Sequence, residues 1–186
     1  LQPDLRFEIP AWDGTAIDQS DDFQNAVTHD IAEGIFCTIL WKDKFSFMEL
    51  FRTPICCAVS RNHPLANRSE LSLKDLAEET IVMPGKGASI ELDNFREQLL
   101  SICPDISILD SSGYGMETFA ECEMKGYVLI TQPVYSDIHS NLLTIPLDTD
   151  ITLPYGLIYS KTPTTATKRF LRIVQEMKDK GELEFL

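Results

Sequence analysis

The sequence predicts an α/β protein of two lobes joined by two crossing strands. Three observations carry this expectation. Within Pro54 to Ala66 (PICCAVSRNHPLA), Ile55 to Val59 is an uninterrupted run of apolar or small residues, the pattern of a strand buried on both faces. Tyr155 to Ser160 (YGLIYS) is a second such run far downstream. Between them, strand and helix signals alternate. The first run reads as the way into the second lobe and the second run as the way back. Lobe I is then residues 1–58 plus 155–186 and lobe II residues 59–154, with no DNA-binding domain in the chain.

Composition narrows the class. A chain of 186 residues has room for two small lobes, and folding should bury roughly 70% of its surface. The hydrophobic fraction of 44% beside 24% charged residues is ordinary for a globular protein. No apolar run approaches the roughly 18 residues that span a bilayer, so no membrane partner is expected. The chain opens on Leu1 without a charged-then-apolar leader and is read as a fragment. Its formal net charge is −13, with 16 basic residues scattered among 29 acidic ones. A duplex-binding surface needs clustered Lys and Arg to displace counterions, so direct DNA binding is not expected.

The five cysteines (Cys37, Cys56, Cys57, Cys103 and Cys122) are odd in number and contain no C-x-x-C. Most lie in apolar runs, which fits a reducing, cytoplasmic setting better than a disulfide framework. His29, His63 and His139 share no metal-ligand spacing with each other or with the cysteines, so neither metal nor cofactor is expected.

Taken in order, Leu5 to Ile9 alternates as a strand with one covered face. After a polar loop, Ser20 or Asp21 caps a helix carrying Phe23, Val27 and Ile31, with Gly34 just past its end. Ile35 to Leu40 reads as a buried strand, completing a βαβ unit with a parallel sheet. Trp41 to Phe51 reads as an irregular aromatic link. Beyond His63-Pro64, Ser72 caps a short helix with Asp75 three residues on. Thr80 to Met83 is a strand that stops at Pro84, and Pro84 to Ser89 (PGKGAS) is the most loop-like stretch of the chain. It runs into a helix with Leu92, Phe95 and Leu99 on one face. Asp105 to Asp110 is a strand, Ser111-Ser112-Gly113 a turn, and Met116, Phe119 and Ala120 mark a helix ending near Gly126. Tyr127 to Thr131 is a buried strand, Pro133 opens a short helix, and Leu142 to Leu147 is the last strand before the return. Thr162 and Pro163 read as cap and first residue of a closing helix with Ala166, Phe170, Ile173, Val174 and Met177 inward.

The order of these motifs resembles the effector-binding domain of LysR-type transcriptional regulators. The matching residues are His63-Pro64-Leu65-Ala66, Leu71 to Leu76 (LSLKDL), Thr80 to Met83, Lys125 to Ile130 (KGYVLI) followed by Pro133, and the strand and helix from Tyr155 to Met177. The likeness runs from Pro3 to Met177. It departs from the family in lacking an opening strand and helix before Leu5, and in Cys37-Thr38 where an Asp is common. The resemblance implies a two-lobed fold like that of type 2 periplasmic binding proteins. It implies a small-molecule effector in the cleft, a homodimer or tetramer, and DNA contact only through a separate N-terminal winged helix-turn-helix. By position the cleft would be lined by Trp12 to Thr15, Pro84 to Ser89, Ser111 to Gly113 and Thr131 to Pro133. The candidate effector-binding residues are Thr15, Lys86, Gly87, Ser89, Ser111, Thr131 and Gln132. Ligands of open α/β sheets do sit beyond the carboxyl ends of strands. Lys86 is the one cation in these loops and the expected contact for an anionic group.

The same residues admit other readings. Pro84-Gly85-Lys86-Gly87 lacks the spacing and the terminal Lys-Ser/Thr pair of a phosphate loop, and Lys86 alone fits a solvated side chain. Cys57 with His63 has no third residue to complete a catalytic set, so an enzyme is not expected. A redox pair needs exposed, low-pKa thiols, for which Cys103 and Cys122 are the candidates outside strands. The runner-up function is an extracytoplasmic solute-binding protein of similar fold.

Overall fold

The computed structural model describes residues 31–35, 42–111 and 115–183. In chain order these form β1 (Ile31–Ile35), β2 (Phe45–Pro54), β3 (Cys56–Ser60), β4 (Thr80–Pro84), α1 (Ile90–Ile102) and β5 (Ser107–Ser111). Then follow α2 (Met116–Lys125), β6 (Val128–Thr131), β7 (Leu142–Pro146), β8 (Thr152–Ser160) and α3 (Thr165–Asp179), with short 3-10 turns between some of them. The strands make two sheets, one of three strands in the order β1-β8-β2 and one of five in the order β5-β4-β6-β3-β7.

The larger sheet explains its own sequence. Cys57, Val59, Ile81, Met83, Val128 and Ile130 pack on one face, in the core shared with Leu92, Phe95 and Leu99 of α1. The residues between them, Ala58, Val82 and Leu129, face Phe119 and Cys122 of α2. Side chains alternate across a strand, so a sheet covered on both faces needs apolar residues at every position. That is why these strands read as continuous runs. Each fully buried Leu, Ile or Phe here stabilises the fold by about 1.5–3 kcal/mol.

Local signals set the ends. Asp75 accepts hydrogen bonds from the Ser72 N–H at 2.8 Å and the Ser72 hydroxyl at 2.7 Å. These bonds, with Arg68 beside it, hold its carboxyl below the usual range. Gly126 ends α2 in the left-handed region at φ 66°, where glycine carries no Cβ penalty.

The smaller sheet departs from expectation. Ile31 lies not on a helix stripe but at the start of β1, whose five residues pair antiparallel with β8. In this sheet β1 and β2 both run antiparallel to β8, while Leu5 to Ile9, the first strand of the expected parallel βαβ unit, lies outside the described residues. Packing of Ile31 against the Leu157, Leu171 and Val174 cluster overrides its four-residue spacing. Within the expected irregular link, Phe45 to Phe51 is instead strand, since β2 begins at Phe45 and continues to Pro54. The closing helix is capped by Thr164, whose side chain accepts from the Thr167 N–H at 3.1 Å, two residues later than expected. Its buried residues are Thr167, Leu171 and Val174, while Ala166 is exposed. The expected strand Leu5 to Ile9, the helix from Ser20 or Asp21, the loop Trp12 to Thr15, Cys37 and the body of Ile35 to Leu40 beyond Ile35 lie outside the described residues.

Hydrogen bonding passes from the small sheet to the large one at Ile55, between β2 and β3, and returns between Pro146 and Thr152. Packing changes elsewhere. Leu153 and Tyr155 of β8 belong to the large core, whereas Leu157 and Tyr159 belong to the small one, together with Met48 and Leu50 of β2. The switch falls at Gly156, opposite a register shift between Glu49 and Phe51.

Candidate functional site

Strand direction gathers the candidate residues at one end of the large sheet. β4 runs parallel to both β5 and β6, and the pair Pro84↔Ser111 brings their carboxyl ends level. Thr131, at the end of β6, pairs with Cys56 at the start of β3, and Cys56 also pairs with Pro146 at the end of β7. The loops after β4, β5 and β6 therefore lie at the end where the chain enters and leaves this sheet. Lys86, Gly87, Ser89, Ser111, Thr131 and Gln132 all belong to this rim, while Thr15 lies outside the described residues.

Their chemistry differs from residue to residue. Ser89 is fully buried and caps α1, its hydroxyl oxygen accepting from the Leu92 N–H at 3.1 Å. Gly87 adopts φ 84°, a left-handed turn that favours glycine. Its N–H is held by both carboxylate oxygens of Asp93 at 3.1 Å, so it serves the loop itself. Lys86 is exposed and makes no ion pair among the described residues. Thr131 is 1% exposed, and its hydroxyl has no hydrogen-bond partner among the described residues. Gln132 is fully buried beside it. Ser111 lines a groove of about 250 Å³ on the α2 side, together with Asp110, Glu117 and Glu121. Three carboxylates make that groove a poor place for an anion.

Two residues important to the rim escaped the sequence reading. Arg96 is buried, and its guanidinium donates to the Pro84 carbonyl at 3.0 Å and the Asp110 carboxylate at 2.6 Å. It thereby ties the end of β4 to β5 under the glycine loop. The signal was present: Leu92, Phe95, Arg96 and Leu99 fall at the spacing of one helical stripe, and Arg96 is its one charge. Asp93, in the first turn of α1, is the other; an acid there also suits the positive end of the helix dipole.

The described thiols do not form a reactive set. Cys56, Cys57, Cys103 and Cys122 are all free and buried. Burial pushes the Cys122 thiol up to about 12 and the Cys56 thiol to about 11, and it raises Cys57 further. A redox pair of Cys103 and Cys122 would need exposed thiolates, and burial denies them. His63 is occupied as a turn residue, its Nδ1 accepting from the Leu65 N–H at 3.2 Å and its Nε2 lying 3.3 Å from Glu79. Among the described residues no group of His, Cys, Asp and Glu is arranged to hold a metal ion, and no helix is long and apolar enough to cross a membrane.

Comparison with known proteins gives the family. The LysR substrate binding domain matches residues 34–179. A search of curated proteins found no match. Among solved structures, the chain is similar to the effector binding domain of QuiR in complex with shikimate, with a TM-score of 0.57 and 18% identity over 78% of this chain and 69% of that one. It is similar to the CcmR regulatory domain of Synechocystis PCC6803 in complex with 2-PG, with a TM-score of 0.56 and 17% identity over 80% and 72%. CbnR, a LysR family transcriptional regulator, gives a TM-score of 0.60 at 14% identity over 84% of this chain and 56% of that one. The α/β architecture is that of the family, the type 2 periplasmic-binding-protein-like fold. The chain belongs to the LysR substrate-binding domain family, the effector-sensing part of LysR-type transcriptional regulators.

Proposed function

We propose that this chain binds a small-molecule effector between two lobes and passes that signal to a separate N-terminal winged helix-turn-helix. The observation that carries the site is Thr131, a buried hydroxyl without a partner among the described residues, at the rim formed by the ends of β4, β5 and β6. An unsatisfied buried polar group is costly, and binding sites are where such groups are kept. Lys86, Gly87, Ser89, Thr131 and Gln132 frame the site, with Ser111 at its edge and Thr15 across from it. Lys86 supports an anionic group on the effector. QuiR and CcmR were solved with small molecules, shikimate and 2-PG, which supports ligands of that size here.

The mechanism is a population shift. An effector that binds one lobe arrangement better favours it, and attached DNA-binding domains change their spacing. The chain is non-catalytic in this reading, acts in the cytoplasm, and assembles as a homodimer or tetramer through lobe edges, with Leu5 to Ile9 near α1 of another copy. The packing switch between Tyr155 and Leu157 supports a return to lobe I at Gly156, one residue beyond the expected boundary.

The test is a thermal-shift screen with shikimate, 2-PG and other small carboxylates and phosphates. A ligand present at 100 times its Kd should add about 2.7 kcal/mol of stability. Saturable stabilisation by one of these probes is the expected result. A panel without any shift at millimolar concentration contradicts an anionic effector.

A further inference from the structure

We infer that Arg52 is a charge clasp across the joint between the two lobes, a joint that lies within the β2–β8 ribbon rather than at the sheet crossover. This rests on the two-lobed reading above. The joint is located by packing and by backbone geometry together. Met48, Leu50, Leu157 and Tyr159 pack with the small sheet, while Leu153 and Tyr155 pack with the large one. Between the two sets β2 carries a bulge at Glu49 to Phe51. Opposite it, a Cβ on Gly156 would collide with the Met48 carbonyl oxygen and lie 2.9 Å from the Leu50 nitrogen. A bulge bends a strand and adds twist, and a glycine facing it lets the two backbones close. The outgoing boundary then falls at the bulge, ahead of residue 58.

Arg52 follows the bulge immediately and is held to the large-sheet side. Its Nε donates to the Thr152 hydroxyl at 2.9 Å and its Nη2 to the Thr152 carbonyl at 2.7 Å. Nη2 also lies 3.5 Å from Glu91, in the first turn of α1, directly after the proposed ligand loop. From this anchorage Nη1 reaches back across the bulge to Glu49 at 3.4 Å. Residues three apart in a regular strand point to opposite faces, and the bulge is what lets these two meet. Glu49 is itself held to the small-sheet side, where Lys178 of α3 donates to its carbonyl at 2.5 Å. Bending at the joint changes the Glu49–Arg52 distance while the Thr152 bonds stay intact.

The experiment needs no ligand. Fluorophores attached through unnatural amino acids at Glu97 on α1 and Lys168 on α3, both exposed, report the distance between the lobes in the full chain. Glu49→Gln should shift the populations of the lobe arrangements about two- to fivefold, the size expected for a partly exposed ion pair. Raising the salt to about 1 M should move the parent the same way by screening the pair. Glu176→Gln removes a carboxylate whose ion pair with Arg172 lies wholly within α3, and it should leave the distance unchanged. A distance that Glu49→Gln does not move overturns the clasp, and so does an equal shift from Glu176→Gln. Neither result bears on the ligand screen, so the clasp and the sensing function fail separately.

Discussion

Thr131 and Arg96 are both buried polar groups, yet they stand on opposite sides of a stability balance. The Arg96 guanidinium meets a carbonyl and a carboxylate, so its burial is compensated on that side. The Thr131 hydroxyl meets nothing among the described residues. Valine has the same shape without the hydroxyl, so Thr131→Val should raise stability by about 1 kcal/mol, read as a higher urea midpoint. The same variant should weaken the effector, because it removes a donor at the rim. A variant that loses stability instead would place a hidden partner on that hydroxyl. Neither residue's role was equally legible in sequence. Arg96 could have been found as the charge within the stripe Leu92, Phe95 and Leu99. Nothing in the string LITQP distinguishes a threonine that bonds from one that does not.

At the scale of elements, legibility followed burial. β3, β4 and β6 lie inside a sheet covered on both faces, so each writes a continuous apolar run and each was located from the sequence. β2 is only partly covered, and its residues Phe45 to Phe51 mix Ser, Glu and Met among aromatics, with a bulge that breaks the alternation. β1 was missed because its pairing with β8 is a long-range event that Ile31 and Gly34 do not announce. Gly156 looked in sequence like a small residue in an apolar run. The structure makes it a position where any side chain meets the backbone of the facing strand. Gly156→Ala should therefore cost about 3 kcal/mol, the upper range for forcing extra volume into a packed site, measured by urea unfolding. A change below about 0.5 kcal/mol would mean that the ribbon can open there freely.

For the whole molecule, the proposed effector sits at the strand ends of the large sheet, beside the two passages to the small one. Fold and family were legible because the order of motifs survives where single motifs are weak. The most direct measurement is a calorimetric titration of one stabilising ligand into the parent and into Lys86→Ala. A charge-assisted hydrogen bond sheltered from water is worth roughly 1.5–3 kcal/mol, so the variant should bind about 10- to 100-fold more weakly. Its unfolding midpoint should match the parent, since Lys86 is exposed and α1 is capped by Ser89 without it. Equal affinity of parent and variant would contradict the site, and would turn attention to the loop Trp12 to Thr15.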